Sequence, residues 1–320
     1  MKLLITGCAG FIGANFTEFI LEKYPEDIVV GVDCLTYAAN AEALAELKKN
    51  PRFRFYKVDI CDSYSIEDIF LNEKPEIVVN FAAESHVDRS IADSSVFVKT
   101  NVLGTQVLLD AARRHGVRRF HQVSTDEVYG DLPIDSDDSF SECDPLRPSS
   151  PYSASKAAAD LLALSYAKTH RLSVSISRSS NNFGKYQHTE KLIPTVILGM
   201  LSGKSVELYG DGRNVRDWIY VTDNCSAIDM IIRYGEPDIY NVGANNCLSN
   251  LSIVKKIGEK LGCDYEIKYV SDRKGHDRKY AVCADKLKSI GWQNCSNFDL
   301  ALSDTIEWYK ERIMSKNVNS

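Results

Sequence analysis

The sequence predicts an α/β fold, a Rossmann-type doubly wound parallel sheet with a smaller C-terminal α/β unit that binds substrate. Three observations predict it. Short β-branched runs alternate with helical patterns through the first half of the chain, as a parallel sheet covered on both faces requires. A glycine-rich turn follows the first of these runs. The residues able to do chemistry fall at the ends of the runs, where parallel sheets collect ligands.

Strands are read at 3–6, 28–32, 53–58, 77–82, 120–125 and 174–178, with helical patterns near 14–23, 41–49, 64–72, 95–115 and 152–169. Gly7, Asp33, Asp59, the pair Ala82 and Ala83, the run Thr125-Asp126-Glu127, and residues 179–182 each follow one strand. Beyond about residue 180 the rhythm loosens, except at 219–245, which reads as a helix and a strand returning to the main sheet. The expected division is therefore 1–178 with 219–245 for a dinucleotide, and 179–218 with 246–320 for substrate. Loop 131–151 carries Asp135, Asp137, Asp138, Glu142 and Asp144 among prolines. It reads as a solvated acidic loop, or as a border of the pocket, because it joins two candidate catalytic segments.

Size and charge narrow the function. A chain of 320 residues can bury a large core. Its net charge of −6 excludes a nucleic-acid-coating role, which needs basic stripes. A few placed arginines would still suffice for a phosphorylated ligand. Nine cysteines without a C-x-x-C spacing read as reduced thiols of a cytosolic protein. The start, Met1 to Ile5, briefly resembles a leader, but Gly7, Gly10 and Gly13 interrupt it and Glu18 and Glu22 follow. No apolar run reaches the roughly 18 residues of a membrane span. A soluble, cytoplasmic protein is expected, with a polar tail at 316–320 that frays.

The turn Thr6-Gly7-Cys8-Ala9-Gly10-Phe11-Ile12-Gly13 opens a helix. Glycines there let backbone approach a pyrophosphate, and the helix N-terminus favours its charge. Asp33, about 20 residues past Gly13, suits a ribose diol and would repel a 2′-phosphate. Cys34 and Leu35 follow in place of an arginine, so the expected cofactor is NAD rather than NADP. Asp59 and Ile60 would flank its adenine.

Tyr152 and Lys156 are four apart and share a helix face. An ammonium there is expected to lower the phenol from its usual value near 10, readying it to take an alcohol proton. Asp126 and Glu127 add an acid and a base, enough to remove a C–H proton and protonate a leaving hydroxyl. Adjacent strand side chains point apart, so both can reach one ligand only if the strand has ended by Asp126. No His/Cys cluster has metal-ligand spacing. His86 reads as pocket-lining or core, and His188 as a surface residue.

The glycine pattern, Asn80-Phe81-Ala82-Ala83 and Tyr152-x-x-x-Lys156 resemble the extended short-chain dehydrogenase/reductase family. The resemblance extends to its nucleotide-sugar dehydrating members through the runs 83–91, 124–130, 149–156, 181–184, 190–194, 216–218 and 275–278. It implies NAD-dependent dehydration of dTDP-glucose to the 4-keto-6-deoxy sugar, feeding deoxysugar synthesis such as rhamnose. The implied steps are C4 oxidation by Tyr152 and Lys156, loss of water across C5 and C6 by Glu127 as base and Asp126 as acid, and reduction at C6. Thr125 would bond the 4-oxygen. Ser85, Asn181, Lys191, Leu192, Tyr209, Arg216, Asn250, Arg273, His276 and Tyr280 would hold sugar, nucleotide and diphosphate, with Arg216 and Arg273 the main cations. The resemblance also implies a homodimer through a four-helix bundle of helices 95–115 and 152–169. UDP-glucose dehydration and 4-epimerisation are the alternatives; an epimerase has no use for Asp126 and Glu127. A non-catalytic NAD sensor would not need Tyr152 and Lys156. Cys8 stands where a Gly is usual, Cys34 where a Lys is common, and 182–190 lacks the usual prolines.

Overall fold

The computed structural model describes residues 1–273 and 275–318. The first half runs β1 (Lys2–Thr6), α1 (Phe11–Lys23), β2 (Ile28–Asp33), α2 (Ala41–Leu47), β3 (Phe53–Lys57), α3 (Ser63–Glu73), β4 (Ile77–Asn80), α4 (Val87–Ala92), α5 (Ser95–Phe97), α6 (Thr105–Arg114), β5 (Arg119–Thr125), α7 (Pro151–His170) and β6 (Val174–Ser179). The second half adds β7 (Asn181–Phe183), α8 (Leu192–Leu201), β8 (Val206–Tyr209), β9 (Val215–Tyr220), α9 (Val221–Tyr234), β10 (Ile239–Val242), β11 (Cys247–Ser249), α10 (Asn250–Leu261), β12 (Ile267–Val270), α11 (Asp285–Ser289) and α12 (Phe298–Val318).

Seven strands form one sheet in the order β10-β6-β5-β4-β1-β2-β3, every neighbouring pair parallel. Each strand read from the sequence is there, and β10 is the expected returning strand. A central strand such as Ile77-Val78-Val79-Asn80 is buried along its whole length, so it shows no polar alternation. Helices cover both faces. Phe16, Ile20, Val221, Cys225 and Ile228 pack on one, and Ile66, Phe70, Leu108, Phe120 and Ala163 on the other. The chain winds outward one way from β1 through β2 to β3 and the other way from β4 through β10. Such a reversal opens a crevice at the carboxyl ends of the strands.

The smaller part joins β11, β9 and β7 in one sheet and pairs β12 with β8. Its core gathers Phe183, Ile197, Leu208, Trp218, Ile253 and Leu302. Ala284, Leu287 and Trp292 pack with Ile231 and Tyr240.

Two expectations are corrected and two are made specific. The helix read at 95–115 is not continuous, because a wide π turn, Val98–Gly104, separates α5 from α6. Gly104 packs against Ile60 where a Cβ would collide. Loop 131–151 is not simply solvated. Asp131 accepts the amides of Arg278 (2.6 Å) and Lys279 (3.0 Å), and Glu142 accepts that of Asn241 (2.9 Å). His188 is the surface residue expected, its side chain 34% exposed and its ring edge-on to Tyr37 at 5.6 Å. The last helix runs to Val318, past the expected onset of fraying; 319 and 320 lie outside the described residues. All nine cysteines are free thiols. Among the described residues no helix is long and apolar enough to cross a membrane.

Candidate active site

The crevice at β1 has the form a dinucleotide needs. Gly7 sits at φ 65°, and a Cβ on it would stand 2.7 Å from the Ala82 amide nitrogen. A Cβ on Gly13 would stand closer still to the Gly7 carbonyl oxygen, so α1 lies tight on the turn. Gly10 caps α1 without a side chain, leaving the first amides beside Phe11 and Ile12 open to an anion. Asp33 ends β2. Its Oδ2 accepts the Ala9 amide (2.9 Å) and its Oδ1 that of Leu35 (2.8 Å). A carboxylate so fixed keeps lone pairs free for a diol. Burial pushes its pKa up while the two amides pull it down. Asp59 accepts the Cys61 amide at 2.9 Å, and Ile60 is buried against Gly104. Ala82 and Ala83 follow β4, with the Ala82 amide donating to Thr6 Oγ1 at 3.2 Å.

β5 stops at Thr125, and a short 3-10 turn, Asp126–Tyr129, begins at once. Thr125 caps it, its Oγ1 accepting the Glu127 amide (3.3 Å) and donating to Asp126 Oδ1 (3.3 Å). The strand therefore ends where the two acids require. Asp126 is 2% exposed and its Oδ2 has no partner. Burial, then the charge of Glu127, raises its pKa well above the carboxylate range. Glu127 lies on a cavity wall. Burial raises it too, and Arg216 and Lys191 oppose this without cancelling it. Environments that push two neighbouring carboxyls apart assign one as acid and one as base.

Tyr152 and Lys156 lie on the buried face of α7. Lys156 Nζ donates to the Val123 carbonyl (2.5 Å), and burial lowers its pKa to about 8. The expected lowering of the phenol is not what these side chains produce. Burial and then the charge of Glu127 raise Tyr152, and the Thr125 hydroxyl opposes them. Burial is the larger cause, and the Lys156 ammonium is engaged by a backbone carbonyl.

Above them opens a cavity of about 350 Å³. Every expected substrate residue lines it: Ser85, Asn181, Lys191, Leu192, Tyr209, Arg216, Asn250, Arg273, His276 and Tyr280, together with Glu127. Arg216 donates to the Asp277 carbonyl (2.9 Å) and lies over the Tyr280 ring at 4.2 Å. Arg273 pairs with Asp88 (2.7 Å) and lies over Tyr209 at 4.4 Å. Lys191 reaches the Ser85 carbonyl (3.0 Å), and His276 faces Asp272 (2.6 Å). His86 lines the cavity as expected, 3.4 Å from Glu190.

Sequence reasoning missed Asp277, which accepts the hydroxyls of Ser149 and Tyr280 and so ties α7's entry to the cavity wall. It also missed Asn101. On the π turn, Asn101 accepts the Glu84 amide (2.8 Å) and donates to Ser155 Oγ (2.8 Å). The only signal for Asp277 was its place in the run 275–278; nothing local marked Asn101.

A doubly wound sheet with this glycine turn and a Tyr–Lys helix face defines an extended short-chain dehydrogenase/reductase. The family model described as GDP-mannose 4,6 dehydratase matches residues 4–305, and the chain belongs to that family. It is 48% identical over 311 residues to the low-salt glycan biosynthesis protein Agl12 of Haloferax volcanii, covering 97% of this chain and 98% of that one. It is 47% identical over 312 residues to the dTDP-glucose 4,6-dehydratase of Streptomyces griseus, covering 96% and 93%. The crystal structure of DesIV, a dTDP-glucose 4,6-dehydratase from Streptomyces venezuelae solved with NAD bound, superposes with a TM-score of 0.94 at 43% identity, covering 98% of each chain.

Proposed function

We propose that the protein is an NAD-dependent hydro-lyase that converts dTDP-glucose to dTDP-4-keto-6-deoxyglucose, a step toward deoxysugars such as rhamnose. The observation that carries this is the pair on the turn after β5: Asp126 shut away and proton-holding, Glu127 on the cavity wall beside Arg216 and Lys191. An epimerase needs neither.

NAD, when bound, supplies the two-electron acceptor that makes the 4-ketone and later reduces C6. Gly7, Gly10, Phe11, Ile12, Gly13, Asp33, Asp59, Ile60, Ala82 and Ala83 would hold it, with Tyr152 and Lys156 at its reactive end. Tyr152 takes the proton of the sugar 4-hydroxyl, and Thr125 steadies that oxygen. The phenol starts raised, and the positive charge that oxidised NAD would bring would join Lys156 in drawing it down. Once C4 is a ketone, the C5 proton is acidic enough for Glu127 to remove. Asp126 gives its proton to the departing 6-hydroxyl, and Glu127 returns the other to C5. Arg216, Arg273, Lys191 and His276 hold the diphosphate. Arg273 exchanges Asp88 for phosphate, a swap that a half-exposed ion pair permits.

On this reading, residues 1–178 and 219–245 carry the cofactor, and 179–218 and 246–320 the substrate. Apolar Val96, Val98, Leu103 and Leu161 are exposed on the helices expected to pair, which supports a homodimer through a four-helix bundle. Free thiols throughout accord with a cytoplasmic location.

The test is incubation with dTDP-glucose and, separately, UDP-glucose, each followed by mass spectrometry. Loss of one water from the thymidine nucleotide is expected. An unchanged mass in both, or a 4-epimer, would overturn the proposal, and preference for the uridine nucleotide would correct its base.

A further inference from the structure

We propose that the buried Asp160–Arg178 ion pair sets charge and position for this reaction, keeping Lys156 free to act on Tyr152 and fixing the Asp126–Glu127 turn against α7. The inference rests on the roles assigned above to those four residues.

Tyr152, Lys156 and Asp160 follow one another at intervals of four on α7, and so share a face. Asp160 is 0% and Arg178 2% exposed. Arg178 Nε donates to Asp160 Oδ2 at 3.0 Å, and its Nη1 donates to the Tyr129 hydroxyl at 2.9 Å. The guanidinium also stands 4.9 Å from the Tyr129 ring centre. Tyr129 ends the turn that Asp126 begins. Its hydroxyl donates to Asn241 Oδ1 (2.8 Å) on β10, and Asn241 Nδ2 donates to the Phe140 carbonyl (2.9 Å). One side chain on β6 thus ties the helix of Tyr152 and Lys156 to the turn of Asp126 and Glu127, and both to loop 131–151.

The charges give this link a purpose. Tyr152 is faced by Asp126 and Glu127 from the turn, and both Tyr152 and Lys156 by Asp160 from their own helix, with Arg178 behind Asp160 on β6. An uncancelled Asp160 would offset the Lys156 ammonium and, with Asp126 and Glu127, would hold the phenol protonated. Arg178 cancels the Asp160 charge. Without it, Asp160 would be a buried, unpaired carboxylate one turn from Lys156 and would claim that ammonium. Stability alone gives little reason for the pair, since apolar replacements of buried ion pairs are often neutral or stabilising.

The experiment uses Arg178→Met, Arg178→Lys and the double variant Asp160→Asn/Arg178→Met in the NAD-loaded enzyme. Two quantities are read against pH. One is C4 oxidation, followed as NADH absorbance in a Glu127→Gln background. The other is phenol ionisation, from ultraviolet difference spectra against Tyr152→Phe. Arg178→Met should move both upward by about one pH unit, a loss of roughly tenfold at neutral pH. Arg178→Lys keeps the charge and should hold the wild-type profile. The double variant removes both charges and should return toward it, a non-additivity that a purely structural role would not give. An unmoved phenol titration in Arg178→Met, a Lys variant shifted as far as the Met variant, or a double variant no better than Arg178→Met would each overturn the proposal. Melting temperatures report folding. If Arg178→Met does not fold, the Lys and double variants decide. If the wild type removes no water from dTDP-glucose, the functional reading fails, and the phenol titration still judges this inference separately.

Discussion

The floor of the site is dry and its rim is wet. The floor, built from β5, the turn after it and α7, holds Asp126, Lys156 and Tyr152 at 2%, 4% and 9% exposure. The rim holds an ion pair partly open to solvent, Arg273 with Asp88. Moving protons calls for groups whose pKa values are displaced, and removal from water displaces them. Gripping a diphosphate calls for cations that can change partners, and exposed pairs are worth only about 0–1 kcal/mol. Arg216, buried and held by the Asp277 carbonyl, stands between the two regions.

Substitutions can break this contrast. Tyr152→Phe on the floor should abolish C4 oxidation, a loss on the order of a hundredfold to ten-thousandfold. NADH absorbance after mixing with substrate is the measurement, and undiminished NADH would remove the phenol from the scheme. Glu127→Gln should leave C4 oxidation and block loss of water on a similar scale. NADH would then accumulate, whereas normal turnover would contradict the base assignment. On the rim, Arg273→Met should raise KM by roughly tenfold to a hundredfold, the value of a charge-assisted bond to phosphate, with kcat little changed. A collapse of kcat instead would place Arg273 with the floor.

His121 sharpens the comparison, because it is equally buried but lies away from the chemistry. Its ring nitrogens meet Ser175 Oγ (2.9 Å) and Ser177 Oγ (3.0 Å), and burial lowers its pKa to about 3. The folded value is depressed, so its contribution is present above the unfolded value near 6.5 and is lost as pH falls toward 3. The slope should approach about 1.4 kcal/mol per pH unit across that window. Urea unfolding of the wild type and His121→Gln at stepped pH would show it. Equal slopes in the two proteins would mean that His121 is not the titrating group.

The sheet was legible because buried parallel strands announce themselves as β-branched runs such as 77–80, and because Gly7 and Asp33 mark the ends of two of them. The cavity residues were legible through runs that carry the family resemblance. What was hidden depends on distant pairing. The wide turn at 98–104 arises where Asn101 meets Glu84 and Ser155 and Gly104 meets Ile60, contacts that no local pattern encodes. The upward shift of Tyr152 was hidden for the same reason. The spacing to Lys156 is visible in sequence, but the depth of burial and the nearness of Glu127 are not.

The unpaired oxygen of Asp126 marks a weak spot that the chain carries for the sake of its work. Its folded pKa is raised, so any stability it lends is present below the ordinary aspartate value and is lost as pH rises through the folded one. At neutral pH it costs stability. Asp126→Ala should therefore yield a protein that melts later yet no longer dehydrates sugar, the trade between sturdiness and usefulness common at active sites. An earlier melting point would show instead that this carboxyl helps to hold the turn together.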